Sequence, residues 1–276
     1  FSSIDKYNEF SGDLFIVDEF HEASDRERDV CHQIMTNSKE IKTILLSGTI
    51  SKETENLWGV KEIAKYTTLE GIKDGILADY QITVHMVNLN TTVKTANRKG
   101  KMLSEKEKYR ALSYVIDSKR AKGEPTMMLA LTRNRLSLSS IGKIEYTKKL
   151  LKKLSEKRCI VFTGLNKVSD SLGIPSYHSD SPGDASLLNF MEERINQLAL
   201  SAMGKVGVTY PNLDSVILLN FTYNAEESSQ ILNRAIKLDY KGKIADLHVI
   251  CLNEAPEIKK IKESLSMLDK NKIKYV

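Results

Sequence analysis

Cysteine is scarce in this sequence. The three cysteines, Cys31, Cys159 and Cys251, lie far apart, and none belongs to a C-x-x-C pair or has a histidine at metal-ligand spacing. This pattern argues against a disulfide framework and against a structural zinc site. It is consistent with a reducing cytoplasm.

Long hydrophobic runs are absent as well. No stretch approaches the roughly 18 uninterrupted apolar residues of a membrane-spanning helix, which excludes transport through a bilayer. The chain has 276 residues, of which 41% are hydrophobic and 28% charged, and we find no internal repeat. This composition is typical of a globular protein, and the length suffices for two domains.

Acidic side chains are few in the middle of the chain. Residues 81–160 hold 19 basic and 6 acidic side chains, whereas residues 1–80 hold 9 and 16, and residues 161–276 hold 13 and 14. Because each lysine or arginine that meets a phosphate releases counterions, the block predicts contact with a polyanion such as nucleic acid. A solvated basic helix face, as in Tyr146–Arg158, is the alternative.

The hydrophobic pattern is that of an α/β fold. Two short apolar runs, 13–17 and 41–46, flank the amphipathic segment 25–38, which predicts strand, helix and strand. Continuous apolar runs are typical of parallel strands that are buried on both faces. Later segments repeat the pattern, with strands predicted at 80–87, 158–162, 197–201, 215–220 and 247–252, helices within 104–154 and 229–238, and a loop or hairpin at 88–101.

An acidic pair follows the first predicted strand, in Val17-Asp18-Glu19-Phe20-His21. In an open α/β sheet, ligands bind at the carboxyl ends of the strands. An aspartate there can hold Mg²⁺, and a neighbouring glutamate can orient and deprotonate the water that attacks a γ-phosphate. The alternative is a helix N-cap that interacts favourably with the helix dipole.

The segment Asp18–His21 resembles the DExH box of superfamily 2 helicases and translocases. Other segments match the motifs of that family in order and spacing along almost the entire chain. The resemblance implies two RecA-like domains with mainly parallel sheets, at 1–78 and 79–276, and a basic helical connector at about 88–155. The matching segments are the Ser-Ala-Thr-like Leu46–Thr49, the domain crossing Glu70–Tyr80, motif IV at Arg158–Thr163, motif V at Ser201–Pro211 and motif VI at Gln230–Lys237.

The resemblance also implies roles for individual residues in ATP hydrolysis, with ATP and Mg²⁺ as cofactors. Asp18 and Glu19 hold the metal, and Glu19 is the general base. His21 links the nucleotide site to the second domain, and Ser47 and Thr49 relay the state of the acidic box toward the nucleic acid.

The second domain completes the site by the same resemblance. Gln230 and Arg234 are implied to act on ATP, Arg234 as an arginine finger. For Arg133 and Arg135, ordinary solvated helix arginines are the alternative reading. The remaining implied site residues are Gly207, Thr209 and Lys237 for the nucleotide, and Ser201 and Thr163 for the nucleic acid. Arg133 and Arg135 are candidate nucleic-acid contacts because they lie in the basic block of residues 81–160.

The sequence departs from the family pattern in several places. It contains no G-x-x-x-x-G-K-[ST] phosphate loop, and motif VI has Asn233 and Lys237 where the family has Gly and Arg. Thr209 stands where many relatives have Asp. Family order places the phosphate loop upstream of Phe1, so we expect the C-terminal part of a longer motor. Its first domain, incomplete at the N-terminus, is then expected to need the absent segment or another chain to fold well.

The predicted function is therefore an ATP-dependent helicase or translocase in the cytoplasm of a bacterium or phage-infected host. DNA is preferred over RNA, because Gln230 and the compact domain crossing resemble restriction-type and phage helicases more than DEAD-box RNA enzymes. Two alternatives remain open. One is a non-catalytic nucleic-acid-binding remnant of a motor, and the other is the motor subunit of a nuclease complex with a partner protein.

A few isolated residues carry weaker expectations. Trp58 either stacks on a base or packs in the core beside Leu57. Met127 and Met128 are predicted to fill the core. His178 and His248 are each expected to be a surface histidine or one with a satisfied ring, rather than a metal ligand.

Overall fold

The computed structural model describes residues 12–37, 41–47, 50, 52–96, 100–201, 210–219, 244–266 and 268–276. The chain divides into two compact units, Phe1–Thr67 (unit 1) and Thr68–Val276 (unit 2). The domain boundary at residue 78 stays a prediction. Within the described ranges, no helix is both long enough and apolar enough to cross a membrane.

Unit 1 contains the predicted strand, helix and strand. The strands β1 (Leu14–Val17) and β2 (Lys42–Leu45) pair in parallel, with Val17 opposite Leu45. The helix α1 (Asp25–Asn37) connects them, as parallel strands require a crossover. A second helix, α2 (Lys52–Trp58), follows β2.

The small core of unit 1 forms around Trp58. This side chain is 3% exposed and packs edge to face on Phe20, with ring centroids 5.2 Å apart. Val17 and Cys31 complete the cluster. Of the two alternatives for Trp58, packing in the core is therefore the one observed.

Unit 2 is built on a mainly parallel sheet. Its seven strands are all paired in parallel, in the spatial order β11-β3-β10-β9-β6-β8-β7, and β4 and β5 form a separate antiparallel ribbon. The strands are β3 (Asp79–Val87), β4 (Lys94–Ala96), β5 (Met102–Ser104), β6 (Cys159–Phe162), β7 (Ser176–Tyr177), β8 (Gln197–Leu200), β9 (Ser215–Leu218), β10 (Ile244–Leu252) and β11 (Ile273–Tyr275).

Helices cover both faces of the seven-stranded sheet, which explains why most residues of its inner strands are apolar. One face packs on Phe190 and Ile261, and the other packs on Leu150 and Val168. The described helices of unit 2 are α3 (Thr68–Lys73), α4 (Glu105–Ala121), α5 (Met127–Leu138), α6 (Ile141–Lys153), α7 (Asn166–Ser171), α8 (Ala185–Met191) and α9 (Ala255–Ser264). The predicted helix at 229–238 lies outside the described residues.

The helices α4 and α5 form a pair that is inserted between β3 and α6. Tyr109 of α4 packs in a small core with Leu89 and Leu252. Leu89 follows β3, and Leu252 is the last residue of β10. The expectation that Met127 and Met128 fill the core is wrong, because both side chains are about three-quarters exposed. They lie in the first turn of α5, shortly after the end of α4, and their side chains are exposed to solvent there.

A buried polar network joins α6 to the middle of the sheet. His85 Nε2 lies 3.0 Å from His248 Nδ1, and the Tyr146 hydroxyl lies 2.8 Å from His85 Nδ1. His248 Nε2 is also 3.4 Å from Asp246 Oδ2, which Lys157 Nζ reaches at 3.0 Å. The expectation that His248 is a surface or satisfied histidine holds for Nδ1, whereas the buried Nε2 has the contact with Asp246 but makes no hydrogen bond among the described residues.

This network predicts a pH dependence of stability. Burial, followed by the charge of His248, lowers the pKa of His85 from 6.5 to about 4. The unfolded chain therefore binds more protons than the folded chain between those values, so the free energy of unfolding falls as the pH drops from 6.5 toward 4. By pH 4 we expect a loss on the order of 3 kcal/mol, at about 1.4 kcal/mol per pKa unit.

Urea unfolding between pH 7 and pH 4 measures this loss, with His85→Gln as the comparison. The contact with His248 lowers the pKa of Asp246 from 3.8 to about 2, so the stability that Asp246 contributes is lost only below pH 4, outside this window. His85→Gln should flatten the pH dependence, and an unchanged dependence would contradict the assignment.

Candidate functional site

The acidic pair lies at the carboxyl end of β1, next to the carboxyl end of β2. Leu46 N donates to Val17 O at 2.8 Å, and Phe20 N donates to Leu46 O at 3.2 Å. These bonds extend the parallel pairing past the strand ends. As a result, the chain segments that follow β1 and β2 leave the sheet side by side, which is the place where ligands bind in open α/β sheets.

Glu19 has an unusual backbone conformation. Its φ is 50° and its ψ is 41°, in the left-handed region that side chains other than glycine seldom adopt. Its amide donates to Asp18 Oδ1 at 3.0 Å. Such a conformation costs on the order of 1–3 kcal/mol and is concentrated at functional sites.

His21 and Ser47 bring the acidic box and the segment after β2 together. His21 Nδ1 lies 2.7 Å from Ser47 Oγ and 3.5 Å from Glu19 Oε2. The neighbouring Phe20 is buried under Trp58, which fixes the backbone between Glu19 and His21. The acidic box is thus held in place by the buried Phe20 ring and by the polar contact between His21 and Ser47, which joins the ends of β1 and β2.

The chemistry of the acidic pair fits a magnesium ion. Asp18 is exposed and the Glu19 side chain is 34% exposed, so carboxylate oxygens face solvent at the sheet edge. Among the residues described, no group of three or more His, Cys, Asp or Glu side chains could hold a metal. One or two carboxylates are nevertheless the donor set that proteins offer to Mg²⁺ bound with nucleotide phosphates.

In unit 2, two predicted nucleic-acid residues lie just beyond neighbouring strands. Thr163 follows β6 and is fully buried, and its hydroxyl contacts Ser169 Oγ at 2.6 Å. Ser201 follows β8, and its hydroxyl donates to Asn166 Oδ1 at the start of α7. Thr163 N also donates to Leu200 O at 2.9 Å, so the two strand ends are bonded to each other.

Asn166 connects this edge to the loop after β7, and sequence reasoning missed it. Its amide Nδ2 donates to Asp180 Oδ2 at 2.6 Å and to Ser179 Oγ at 3.2 Å. The sequence offered one indication of this role, because Asn166 is a polar residue that begins the helix directly after the turn at the end of β6. Asn166 and the loop form a polar surface at the carboxyl edge of β6, β7 and β8, and the buried Ser201 hydroxyl holds Asn166 in place.

His178 holds the base of the same loop. His178 Nε2 lies 2.9 Å from Asp170 Oδ1, which also accepts a hydrogen bond from Ser176 Oγ at 2.7 Å. These two hydrogen bonds lower the pKa of Asp170. The expectation that His178 has a satisfied ring agrees with this contact.

The two arginines of α5 are placed differently. Arg133 is buried, its guanidinium donates to Ser113 Oγ at 3.2 Å, and it lies 5.8 Å from the centre of the Tyr109 ring. Arg135 is exposed. The contacts of Arg133 join α5 to α4, whereas the side chain of Arg135 is open to an external ligand. A nucleic-acid role stays a prediction for both residues.

The structure therefore brings together Asp18, Glu19, His21 and Ser47 in unit 1, and Thr163 and Ser201 in unit 2. Arg133 and Arg135 lie in α5, as described above. The other predicted site residues lie outside the described residues: Thr49, Gly207, Thr209, Gln230, Arg234 and Lys237.

Comparison with known proteins supports the fold. No family model and no curated protein matches the sequence. Dbp5 of S. cerevisiae bound to RNA and ADP BeF3 matches 95% of this chain and 59% of its own, with a TM-score of 0.55 and 13% identity. The ATP-dependent Type ISP restriction-modification enzyme LlaBIII bound to DNA matches 98% of this chain and 22% of its own, with a TM-score of 0.55 and 13% identity.

These likenesses establish the architecture. The chain has the mixed α/β fold of RecA-like helicase domains, with a parallel seven-stranded sheet, as the sequence predicts. It spans less than two thirds of the length of either of these two structures.

Proposed function

We propose that this chain is part of an ATP-driven motor that moves along or remodels nucleic acid, with DNA as the preferred substrate. The observation that carries the proposal is the contact between His21 and Ser47, next to the left-handed Glu19. This contact joins the ends of two adjacent parallel strands at a pair of solvent-facing carboxylates. A change at the carboxylates is therefore transmitted directly to the segment after β2.

The roles that we propose in unit 1 come from the motif resemblance, and this geometry supports them. Asp18 holds Mg²⁺, which neutralises phosphate charge and orients the γ-phosphate when bound. Glu19 accepts a proton from the attacking water, and its constrained backbone keeps the carboxylate at a fixed place. His21 senses the Glu19 carboxylate on one side and the Ser47 hydroxyl on the other. We propose Thr49 as the second relay residue of that segment.

The roles in unit 2 rest on the polar edge of the sheet and on the motif resemblance. Ser201 is buried, and we propose that it acts on the nucleic-acid backbone indirectly, by orienting Asn166 and the loop after β7. Thr163, whose hydroxyl is buried, positions this edge from beneath. For the nucleotide, we propose Gln230, Arg234, Gly207, Thr209 and Lys237.

The proposal specifies DNA rather than RNA as the substrate. It rests on Gln230 at the start of motif VI and on the short crossing at Glu70–Tyr80. The similar structures were bound to RNA in one case and to DNA in the other. For either nucleic acid, protein contacts to the phosphate backbone supply affinity without sequence preference.

The test is nucleic-acid-stimulated ATP hydrolysis, measured for the 276-residue chain and for a version extended upstream by about 100–150 residues, the length of one domain. DNA and RNA oligonucleotides of the same sequence serve as the two activators. Stimulated hydrolysis in the extended version alone supports a motor whose phosphate loop lies upstream. Binding of DNA without hydrolysis in either version would overturn the motor proposal and favour a binding module.

A further inference from the structure

The antiparallel ribbon of β4 and β5 is separate from the seven-stranded sheet and is solvated on both faces. Its register pairs Lys94 with Ser104, the N-cap residue of α4. All three residues of β4 are exposed, although successive side chains of a strand point to opposite faces. Along β5, exposure decreases from Met102 to the buried Ser104. The ribbon therefore extends from the start of α4 with solvent on both sides.

Two lysines of the ribbon lie beside the first turn of α4. Lys94 is opposite the N-cap Ser104, and Lys101 immediately precedes β5. Hydrogen bonds from Ser104 lower the pKa of Glu107, and the charges of Lys94 and Lys101 lower it further. Both ammonium groups are therefore close to the same carboxylate. Both lysines are exposed to solvent.

A third lysine, Lys108, reaches the ribbon from α4. Its Nζ donates to Thr95 Oγ1 at 2.5 Å and to Ala96 O at 3.4 Å. Neither acceptor carries a formal charge, so these bonds hold the ammonium group against β4 without neutralising it. Three cations thus lie at the ribbon and the adjoining helix turn. We call them the ribbon lysines: Lys94, Lys101 and Lys108.

The carboxylates of the same region are bound within the protein. Glu107 Oε2 accepts hydrogen bonds from Ser104 N at 2.7 Å and from Ser104 Oγ at 2.8 Å. Glu105 is buried and accepts hydrogen bonds from two backbone amides. These are the two acidic residues within the described ranges 93–96 and 100–110, which contain five basic residues.

Two further carboxylates do not cancel this charge. Glu254 Oε1 lies 3.7 Å from Arg110 Nε, a cation that is not one of the ribbon lysines. Asp117 is exposed on α4, ten residues after Glu107. At 1.5 Å per residue it lies about 15 Å further along the helix axis, which exceeds the screening length of roughly 10 Å at 0.1 M salt. The ribbon lysines therefore present net positive charge to solvent.

Shape and charge together favour duplex DNA as the ligand. The two strands of a ribbon are about 5 Å apart, and the major groove of B-form DNA, about 12 Å wide, admits such a ribbon. The major groove of duplex RNA is too deep and narrow. Duplex DNA also carries one phosphate per about 1.7 Å of its axis, so several phosphates come within reach of closely spaced cations. A lipid or apolar protein surface would find only Met102 as a large exposed apolar side chain within the described strands of the ribbon.

We propose that the β4–β5 ribbon enters the major groove of duplex DNA and that the ribbon lysines bind phosphates at the rim of the groove. The proposal rests on the proposed function, to which it adds a contact surface outside the predicted motifs and the double-stranded form of the substrate. Lysine is a point charge rather than a planar fork, so these contacts hold the duplex without reading its sequence.

Fluorescence anisotropy tests the proposal with the 276-residue chain, a short labelled DNA duplex and an RNA duplex of the same sequence. We expect the DNA duplex to bind more tightly. The double variant Lys94→Gln/Lys101→Gln should reduce the slope of log affinity against log salt by about 0.9 for each lost phosphate contact. Lys94→Arg/Lys101→Arg keeps both charges and should retain the slope of the unmodified chain.

The matched control is Lys148→Gln/Lys152→Gln, which removes two exposed lysines from α6. These lysines belong to the same basic block, 81–160, but not to the ribbon. The control should leave the salt slope unchanged. Because all four substituted positions are exposed, both glutamine variants should unfold in urea at the midpoint of the unmodified chain, which verifies that they are folded.

The outcomes separate this proposal from the proposed function. An unchanged slope in Lys94→Gln/Lys101→Gln would overturn the ribbon contact while the motor proposal stands, and so would an equal fall in the α6 control. Equal affinity for the DNA and RNA duplexes would overturn the fit to the groove, and binding of neither duplex would overturn the contact altogether. If the predicted slope changes occur but the upstream-extended version does not hydrolyse ATP, the motor proposal fails and the ribbon remains a DNA-binding element.

Discussion

Lys143→Met should lower the free energy of unfolding by about 3–5 kcal/mol, the usual cost of removing one partner of a buried ion pair. The Lys143 side chain is 3% exposed, and its Nζ lies 3.6 Å from Glu257 Oε2. The same Nζ donates to Ser137 Oγ at 3.3 Å and to Leu219 O at 3.4 Å. Methionine fills the space but leaves the buried Glu257 carboxylate without this cation.

The position of Lys143 explains the size of the effect. Its three contacts come from α5, from the end of β9 and from α9, so one ammonium group joins three elements. The preceding residue, Gly142, lets α6 begin this close to the sheet, because a Cβ there would collide with the Asn88 carbonyl oxygen. The helix therefore starts close to the sheet, and Lys143 follows at once with its ammonium group between the three elements.

Urea unfolding followed by far-ultraviolet circular dichroism measures this loss. Lys148→Met removes an exposed lysine from the same helix and should change stability by less than about 0.5 kcal/mol. The double variant Lys143→Met/Glu257→Met should recover much of the loss, because it removes both buried charges. A single variant as stable as the Lys148→Met control would show that the pair contributes nothing.

The sheet of unit 2 was largely predictable because its strands are buried on both faces. The runs that contain Ile82, Ile160, Leu198 and Val249 are rich in apolar residues, and each becomes a strand. The edge strands β7 and β11 were missed, since each has only two or three residues and includes Ser176 or Lys274. Short, half-exposed strands give no hydrophobic run to detect.

The helix pair shows where pattern reading fails. Met127 and Met128 form an apolar pair like many in protein cores, yet the fold places them at the first turn of an inserted helix. Arg133, by contrast, is a charged residue that the fold buries, because Tyr109 and Ser113 receive its guanidinium. The exposure of the two methionines and the burial of Arg133 cannot be predicted from local composition, because both depend on which faces of the helices pack together.

The candidate site was predictable in part. The adjacency of Asp18–His21 and Ser47 follows from the pairing of consecutive parallel strands, whose carboxyl ends meet at one edge. The left-handed backbone of Glu19 and the bond from Ser201 to Asn166 were not predictable. Both depend on the geometry of the turns after the strands, which the residue types alone do not specify.

Glu19→Gln should reduce ATP turnover by about 10²–10⁴-fold in the form of the protein that hydrolyses ATP, which is the contribution of a general base. The prediction rests on the proposed function. Glutamine keeps the size of the side chain and its ability to contact His21, but it cannot accept the proton of the attacking water. The KM for ATP should stay nearly constant, because an interaction made only in the transition state is lost.

Asp25→Asn is the matched control, since Asp25 is an exposed carboxylate in the same unit that pairs with Arg28 on the surface of α1. Its removal should leave turnover within about twofold of the unmodified protein, because exposed pairs contribute at most about 1 kcal/mol and this one is remote in sequence from the acidic box. Turnover retained in Glu19→Gln would move the role of base to another residue. An equal loss in Asp25→Asn would mean that the charge of unit 1, and not the position of Glu19 at the end of β1, controls hydrolysis.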